Sequence, residues 1–540
     1  MHPVPMSQRT IERDYLWLPV CPGAEKRHVE IFCGQEKAFE MELPCLTGWE
    51  EAALEKEGWF YACLPVADYR GRALTFEGAP PEWVASLRCE AAPPAPPACP
   101  RPLLHFTPPV GWVNDPNGLV YAQGKYHLYY QHNPYDVGWG NMTWGHAHST
   151  DLFRWTWDDP VLHPDGTGTM FSGCGVRDDA NAAGYGPGRL LYYYTAAGGT
   201  NRWSAGRPYV QYLALGAGDG MRLEKTGRVM VPALSEGNRD PKVFYHPPTK
   251  AYILVLYLSG HDFAIFRSAD LLHWEETQRL TLDGGWECPD LLELPVDGGG
   301  KKWVFWTADG YYFPGEFDGF RFTPDGPRHC AYAGGKTVGA GEGLKPGITL
   351  LPYAAQTISG VEDGRVISIA WLRTPNPPGS GKRLPYTGMM ALPAELSLTR
   401  AGRMRLSPVR ELDALRGRPL PLLPGQAAEV QGAYELSLTL SNGRAVVELP
   451  SGRLEADGEA GLCRFTSALS AREFAFAPHE PLSLRLIADI GITEIFAQDD
   501  TVAMACETAL QTAGQVRCRL DGEGEASLCP LSPCGIGDKG

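Results

Sequence analysis

The 540-residue chain contains no run of about 18 apolar residues, so no segment has the length of a membrane-crossing helix. Cations are the minority charge: 48 Lys and Arg face 63 Asp and Glu, a formal net charge of −15. Nucleic acid and other polyanions need clustered Lys and Arg, so neither is an expected partner. The 14 cysteines form no CxxC pair and the 13 histidines no HExxH. Zinc-ribbon, thioredoxin-like and zincin readings fall away, and neither metal nor cofactor is expected. The opening MHPVPMSQRTIERDYLW has no basic region followed by an apolar one, so it does not read as a signal peptide. A cytoplasmic location with reduced thiols is the expectation; a chain trimmed of its leader would instead be secreted.

What the sequence has in quantity is Gly (63), Pro (47) and aromatics (11%), the composition of short strands joined by turns. An all-β chain of several domains is expected. Short alternating runs such as RHVEIFCG, KAFEMELP and WFYACLPV predict a small β domain over 1–90. A Pro- and Ala-rich linker follows over 91–101, a stiff extended spacer. AYELSLTL, LSLRLIADI and ITEIFAQDD predict a β-sandwich over 399–540. Between them, over 102–398, five aromatic or branched strands recur: YHLYYQ, LLYYYTA, YILVLYLS, KWVFWTA and VISIAWL. Each follows a shorter apolar strand and a polar turn, and STDLFRW is echoed by SADLLHW. Strand-only repeats at this spacing predict a five-bladed β-propeller.

Polar signatures stand where each blade's first strand should begin: NDPNG (Asp115), FSGCG (Phe171, Ser172), NRDPK (Arg239, Asp240) and WECPD (Glu287). First strands line a propeller's channel, so these positions converge on one funnel. Each acid also has a plain structural explanation. Asp115 sits among turn formers and can cap a turn, Asp240 can pair with Arg239, and Glu287 can cap the turn at Pro289. Cys288 reads as a small packed thiol without chemistry. Three carboxyls facing one pocket, however, repel if all are ionised. Chemistry uses that tension by keeping one charged as nucleophile and raising a neighbour's pKa for proton donation.

WVNDPNG, YYQHNP, WGNMTWGHAHSTDLFRW, FSG, RDP and ECPDL, in this order, resemble glycoside hydrolase family 32, the β-fructofuranosidases. The later AAQT, MMALPAEL and LRLIADIGITEIFAQDDTVAMA fit the same resemblance, which covers about residues 102–520. The first 90 residues resemble the small β domain preceding the propeller in some levanase-like members. The resemblance implies a retaining, exo-acting β-fructosidase working on sucrose, fructo-oligosaccharides, levan or inulin. It makes Asp115 the nucleophile, Glu287 the general acid and base, and Asp240 the residue that stabilises the transition state through fructose hydroxyls. Asn114, Gln131, Trp139, Phe171, Ser172 and Arg239 match positions around the fructosyl unit, and Trp371 is expected to complete the pocket. Taken singly, Trp139 or Phe171 is more often a core residue, and Gln131, expected at the end of an inner strand, suits either role. The expected partner is a small-molecule or oligosaccharide fructoside. The alternatives are a fructosyltransferase using the same intermediate and a fructan-binding protein without turnover; β-2,1 and β-2,6 linkages both stay open.

Overall fold

In the computed structural model, residues 7–46, 58–217, 219–333, 352–375 and 383–534 are described. Near the N-terminus, a four-stranded sheet (Ser7–Thr10, Ala73–Glu77, Lys26–Cys33, Glu36–Pro44) faces a three-stranded one (Phe60–Pro65, Tyr15–Val20, Arg88–Glu90). Alternation puts Leu16, Leu18, Val29, Ile31, Phe60 and Phe76 between the sheets, with Trp83 of the short helix Pro81–Ser86 beside them. The Pro/Ala segment forms no strand. It is pinned at both ends: the Trp17 indole donates to the Ala92 carbonyl (2.9 Å), and Arg101 donates to Thr107 Oγ1 (2.9 Å) and the Pro108 carbonyl (2.7 Å).

Five antiparallel sheets follow in chain order, forming the five blades of a propeller. Their inner strands are Gly111–Ala122, Thr169–Asp178, Arg239–His246, Asp290–Pro295 and Tyr353–Thr357. The second strands, such as Lys125–Asn133, Arg189–Ala197 and Ala251–Ser259, are buried almost throughout because neighbouring blades cover both faces. That is why they read as unbroken Tyr, Leu and Val runs. The outermost strand Glu275–Thr281 is mostly exposed and carries Glu and Arg, which discourages edge pairing. The echo STDLFRW/SADLLHW is a repeated turn. Asp151 Oδ1 accepts the N–H groups of Phe153 (3.0 Å) and Arg154 (2.7 Å), and Asp270 Oδ1 those of Leu272 and His273 (both 2.9 Å).

Blade 5 closes the ring against blade 1. Tyr386–Thr387 pairs in parallel with Gly111–Trp112, and Ser359 exchanges backbone bonds with Leu119 (3.0 Å) and Tyr121 (2.8 Å). Side chains bridge the channel just beyond the strand entries. Lys242 Nζ reaches Asp290 Oδ2 (3.3 Å) and the Thr357 carbonyl (2.6 Å), and Gln356 donates to the Gly173 carbonyl (3.0 Å). Lys242 and Asp290 are both buried.

Two six-stranded sheets make the C-terminal sandwich. It docks on the propeller through a buried ionic clamp. His105 Nδ1 lies 2.8 Å from Asp489 Oδ2, and His105 Nε2 lies 2.8 Å from Glu494 Oε1. Asp489 also accepts the N–H groups of Leu103 and Leu104, and Glu494 that of Leu392, each at 2.8 Å. Burial by itself lowers the His105 pKa, but the two carboxylates outweigh it and raise the value to about 9. The folded pKa thus exceeds the unfolded value near 6.5, so the stabilisation is complete below about pH 6.5 and is lost as pH rises through 9. Calorimetric melting from pH 6 to 10 should show the wild type losing up to about 3 kcal/mol of stability through this group, and His105→Gln lacking that component. Parallel pH profiles for the two proteins would contradict the clamp.

Candidate active site

The structure corrects the turn reading of NDPNG. Asp115 lies inside the inner strand of blade 1, where the pairing register shifts between Val113 and Pro116 and again between Asn117 and Val120. Pro116 tolerates the first irregularity because a bulge leaves N–H groups unpaired. Gly118 is required at the second: its φ is +56°, and a Cβ there would stand 2.8 Å from the Tyr129 ring. The same device recurs in other blades. Register shifts occur at Phe171/Gly173, Arg239/Lys242 and Tyr353/Gln356, and Asp240 and Ala354 take positive φ of 64° and 53°. These signatures therefore lie within or at the opening of bulged inner strands, rather than in turns before them. Only Glu287 keeps the expected place, in the loop ahead of Asp290–Pro295. A bulge turns side chains that would lie against a neighbouring blade into the axial pocket.

The three acids meet there. Ser172 Oγ donates to Asp115 Oδ2 (2.8 Å), and the Asn114 amide donates to Oδ1 (3.1 Å). Trp112 Nε1 donates to Asn114 Oδ1 (2.8 Å), which sets that amide's orientation. With its amide turned to satisfy both groups, Asn117 donates to Ser172 Oγ (3.2 Å) and accepts from Gln131 Nε2 (2.9 Å). Asp240 Oδ2 accepts the Cys288 N–H (3.1 Å), and the Asp240 N–H is held by Thr195 Oγ1 (3.1 Å). Arg239 forks onto Glu287 Oε2 from Nε (3.0 Å) and Nη2 (2.6 Å), and its Nε lies 3.6 Å from Asp240 Oδ2. Its guanidinium also covers the Tyr257 ring, 4.5 Å from the centroid.

Other expected residues take outer positions. Gln131 is on the second strand of blade 1, not an inner one, and gives its amide to the Met170 carbonyl (2.9 Å); it reaches Asp115 only through Asn117 and Ser172. Phe171 stands edge-on to Trp139 (6.1 Å) and Tyr209 (5.6 Å). Trp139 is 55% exposed, so it is rim and not core. Trp371 is buried beside Trp112 (5.7 Å) and Tyr353 (6.3 Å).

Four residues escaped the sequence reading. Tyr353 donates its hydroxyl to Glu287 Oε1. Arg373 stacks 3.5 Å above the Tyr353 ring centroid, and its charge acts on Asp115. Asp309 feels the Glu287 charge. Cys288 is more than packing: its Sγ lies 3.5 Å from Asp240 Oδ2 and 3.7 Å from Asp115 Oδ2, a weak donor between two carboxyls. Tyr353 opens the fifth repeat's inner strand, so its place in the repeat was the available signal. Asp309 was hidden in ADGYY, which reads as a turn.

The electrostatics follow from crowding. Burial, then the Glu287 charge, raises Asp115, while Asn114, Ser172 and Arg373 pull it back. Burial raises Asp240 to about 7; Arg239 opposes this, and Glu287 and Asp115 add to it. Burial and Glu287 raise Asp309 to about 6. Burial and the neighbouring carboxyls push the Cys288 thiol far up, so it stays protonated. The pocket thus gathers four carboxyls against two guanidinium groups, a field that favours cationic character in whatever reacts there.

Away from this pocket, His28, Glu30 and Glu40 come together with metal-ligand spacing that their sequence separation does not advertise. Lys37 is already among them, donating to Glu40 (2.9 Å) and Glu30.

Residues 105–408 match the family model described as the glycosyl hydrolases family 32 N-terminal domain. The Bacillus subtilis levanase is 35% identical over 344 residues, 59% of this chain and 48% of that protein. An Aspergillus niger extracellular exo-inulinase is 32% identical over 342 residues, covering 55% of this chain and 62% of that protein. The chain thus matches about half to three fifths of the length of these relatives. Among solved structures, the exo-inulinase of Aspergillus awamori superposes with a TM-score of 0.68 at 22% identity, covering 81% of this chain and 99% of that one. The Bombyx mori GH32 β-fructofuranosidase gives 0.63 at 25% identity, covering 81% and 94%.

The raised Asp240 has a measurable consequence. Its folded pKa of about 7 lies above the unfolded value near 3.9, so the native state binds the extra proton and loses stability as pH climbs between them. Asp240→Asn removes that loss. Its melting temperature relative to wild type should rise by about 2–4 °C or more from pH 5 to pH 8, and a constant difference would refute the assignment.

Proposed function

The chain belongs to glycosyl hydrolase family 32, and from that premise we propose that it is a retaining, exo-acting β-fructosidase. Its substrates are the terminal non-reducing β-D-fructofuranosyl units of sucrose, fructo-oligosaccharides and levan- or inulin-type fructans. The observation that carries the proposal is the convergence of Asp115, Asp240 and Glu287 on one pocket, through Arg239 and Cys288, from three different blades. The levanase and exo-inulinase names of the relatives support the substrate class.

In the mechanism we propose, an Asp115 oxygen attacks the anomeric carbon of the bound fructosyl unit. As the glycosidic bond breaks, Glu287 gives its proton to the departing oxygen. Glu287, now a carboxylate, takes a proton from water. The resulting hydroxide attacks the anomeric carbon, releases fructose and returns Asp115 to its free carboxylate. Asp240 holds fructose hydroxyls, and in its ionised form stabilises the oxocarbenium-like transition state. Ser172 and Asn114 hold both Asp115 oxygens in place, so the nucleophile is oriented before substrate arrives. A retaining reaction calls for the Asp115 and Glu287 carboxyls to stand roughly 5–5.5 Å apart. The exo mode is supported by the bridges of Lys242, Asp290, Thr357 and Gln356, which obstruct the channel beyond the acids. A chain end fits above such a floor, whereas a chain interior would need a through-passage.

Asp115→Asn should lower kcat by about 10⁴-fold or more while leaving the melting profile folded and cooperative, since nearly isosteric replacement removes only the charge. Turnover within tenfold of wild type would sink the nucleophile assignment. Glu287→Gln should slow sucrose far more than an activated aryl fructoside, whose leaving group departs without a proton. Equal slowing of the two would deny it the acid role.

A further inference from the structure

A second concavity, of about 430 Å³, lies between the N-terminal four-stranded sheet and the rim of blades 1 and 2. Lys26, His28 and Glu42 form one wall, and Trp139, Asn201 and Arg202 lie on the other. Hydrogen bonds fix the two walls relative to one another. Asn141 accepts the Glu42 N–H (2.8 Å) and donates to the Glu42 carbonyl (2.7 Å). The buried Glu40 accepts the N–H groups of Arg202 (2.7 Å) and Trp203 (3.2 Å). The cleft is therefore preformed, as small-molecule sites between domains usually are.

Its chemistry suits a neutral polyol. The Trp139 indole is 55% exposed and offers an apolar face among groups that donate and accept hydrogen bonds. His28 turns inward, its Nε2 3.9 Å from the Glu30 and Glu40 carboxylates, while the side chains of Glu42 and Arg202 are exposed at the cleft. Arg202 and Asn201 offer donors and Glu42 an acceptor, which together call for a ligand that can give and take hydrogen bonds at one place. Sugar hydroxyls do both. Lys26 and Arg202 are balanced by Glu40 and Glu42 in the lining, which suits no strongly charged ligand.

The cleft also borders the catalytic pocket. Trp139 meets Phe171 edge to face at 6.1 Å, and the next residue, Ser172, is bonded to Asp115. Thr169, three residues before Ser172 on the same strand, lines the cleft. That separation is roughly 10 Å of extended chain.

We propose that this cleft is a binding subsite for the inner units of a fructan chain whose terminal unit lies at Asp115, with Glu42 and Arg202 bonding their hydroxyls and Trp139 supporting their apolar face. The proposal rests on the β-fructosidase reading and deepens it: the preferred substrate is a chain of several fructosyl units, not sucrose. One wall lies before residue 105, where the family match begins, so this part of the specificity comes from the N-terminal sheet and not from the propeller.

The test is the double variant Glu42→Ala/Arg202→Ala in the full chain. The ratio of kcat/KM for a β-2,1 or β-2,6 fructan tetrasaccharide to that for sucrose should fall about tenfold, mainly through KM. An unchanged ratio overturns the subsite. Titration of the same tetrasaccharides into Asp115→Asn protein, with and without the double substitution, reads the cleft without turnover. About tenfold weaker binding supports it, and equal binding overturns it. Failure of the wild type to cleave any fructoside would defeat the function proposal, while the titration still decides the cleft. If the double variant does not fold, Arg202→Ala alone, at an exposed side chain, takes its place in both measurements.

Discussion

Crowding of carboxyl groups at the propeller axis is the constraint that organises this molecule. Asp115, Asp240 and Glu287 crowd together, Asp309 is close enough to feel the Glu287 charge, and the carboxyls outnumber the two guanidinium groups that act on them, so protons are held more tightly there. Such an arrangement costs folding stability and persists only when the surrounding structure holds it. Here the bulged inner strands hold it, with Asp240 in the left-handed region at φ +64° and fixed through its backbone by Thr195. The same field is what a sugar acquiring positive charge requires, so the strain and the proposed chemistry have one origin.

Everything around the axis keeps the five strands from spreading under that repulsion. Lys242 ties the inner strand of blade 3 to those of blades 4 and 5, and Gln356 ties blade 5 to blade 2. Blade 5 is sewn to blade 1 by Ser359 and Tyr386–Thr387. Outside the ring, the His105–Asp489–Glu494 clamp holds the sandwich against the propeller at the start of the first blade. On the opposite flank of the sequence, Glu40 and Asn141 fasten the N-terminal sheet to the rim. These contacts join elements up to 389 residues apart, which makes the ring a closed object and not a row of sheets.

Much of the site could be found without coordinates because it is periodic. Asp115, Ser172, Asp240 and Glu287 recur near the beginning of successive repeats, and inner strands of a propeller converge. Residue types that break the period were harder to see. Tyr353 holds the corresponding place in the fifth repeat, but an aromatic at a strand start resembles core. Arg373 and Asp309 lie on other segments and reach the pocket only because blades 4 and 5 fold back beside it. Gln131 was placed on the wrong strand for a related reason: pairing partners, not spacing, decide which strand is inner. The plain turn explanation of NDPNG does not hold because Pro and Gly serve bulges as readily as turns.

The sequence by itself determined the all-β class, the repeat that becomes five blades, and the three acids, since alternation and composition are local properties that each strand carries with it. Tertiary structure alone decided that the acids lie on bulges, that Cys288 and Tyr353 bond to them, and that an N-terminal sheet walls a cleft beside Trp139. Those features depend on which distant surfaces meet. Hydrogen bonds between residues hundreds of positions apart leave no period or pattern in the chain that makes them.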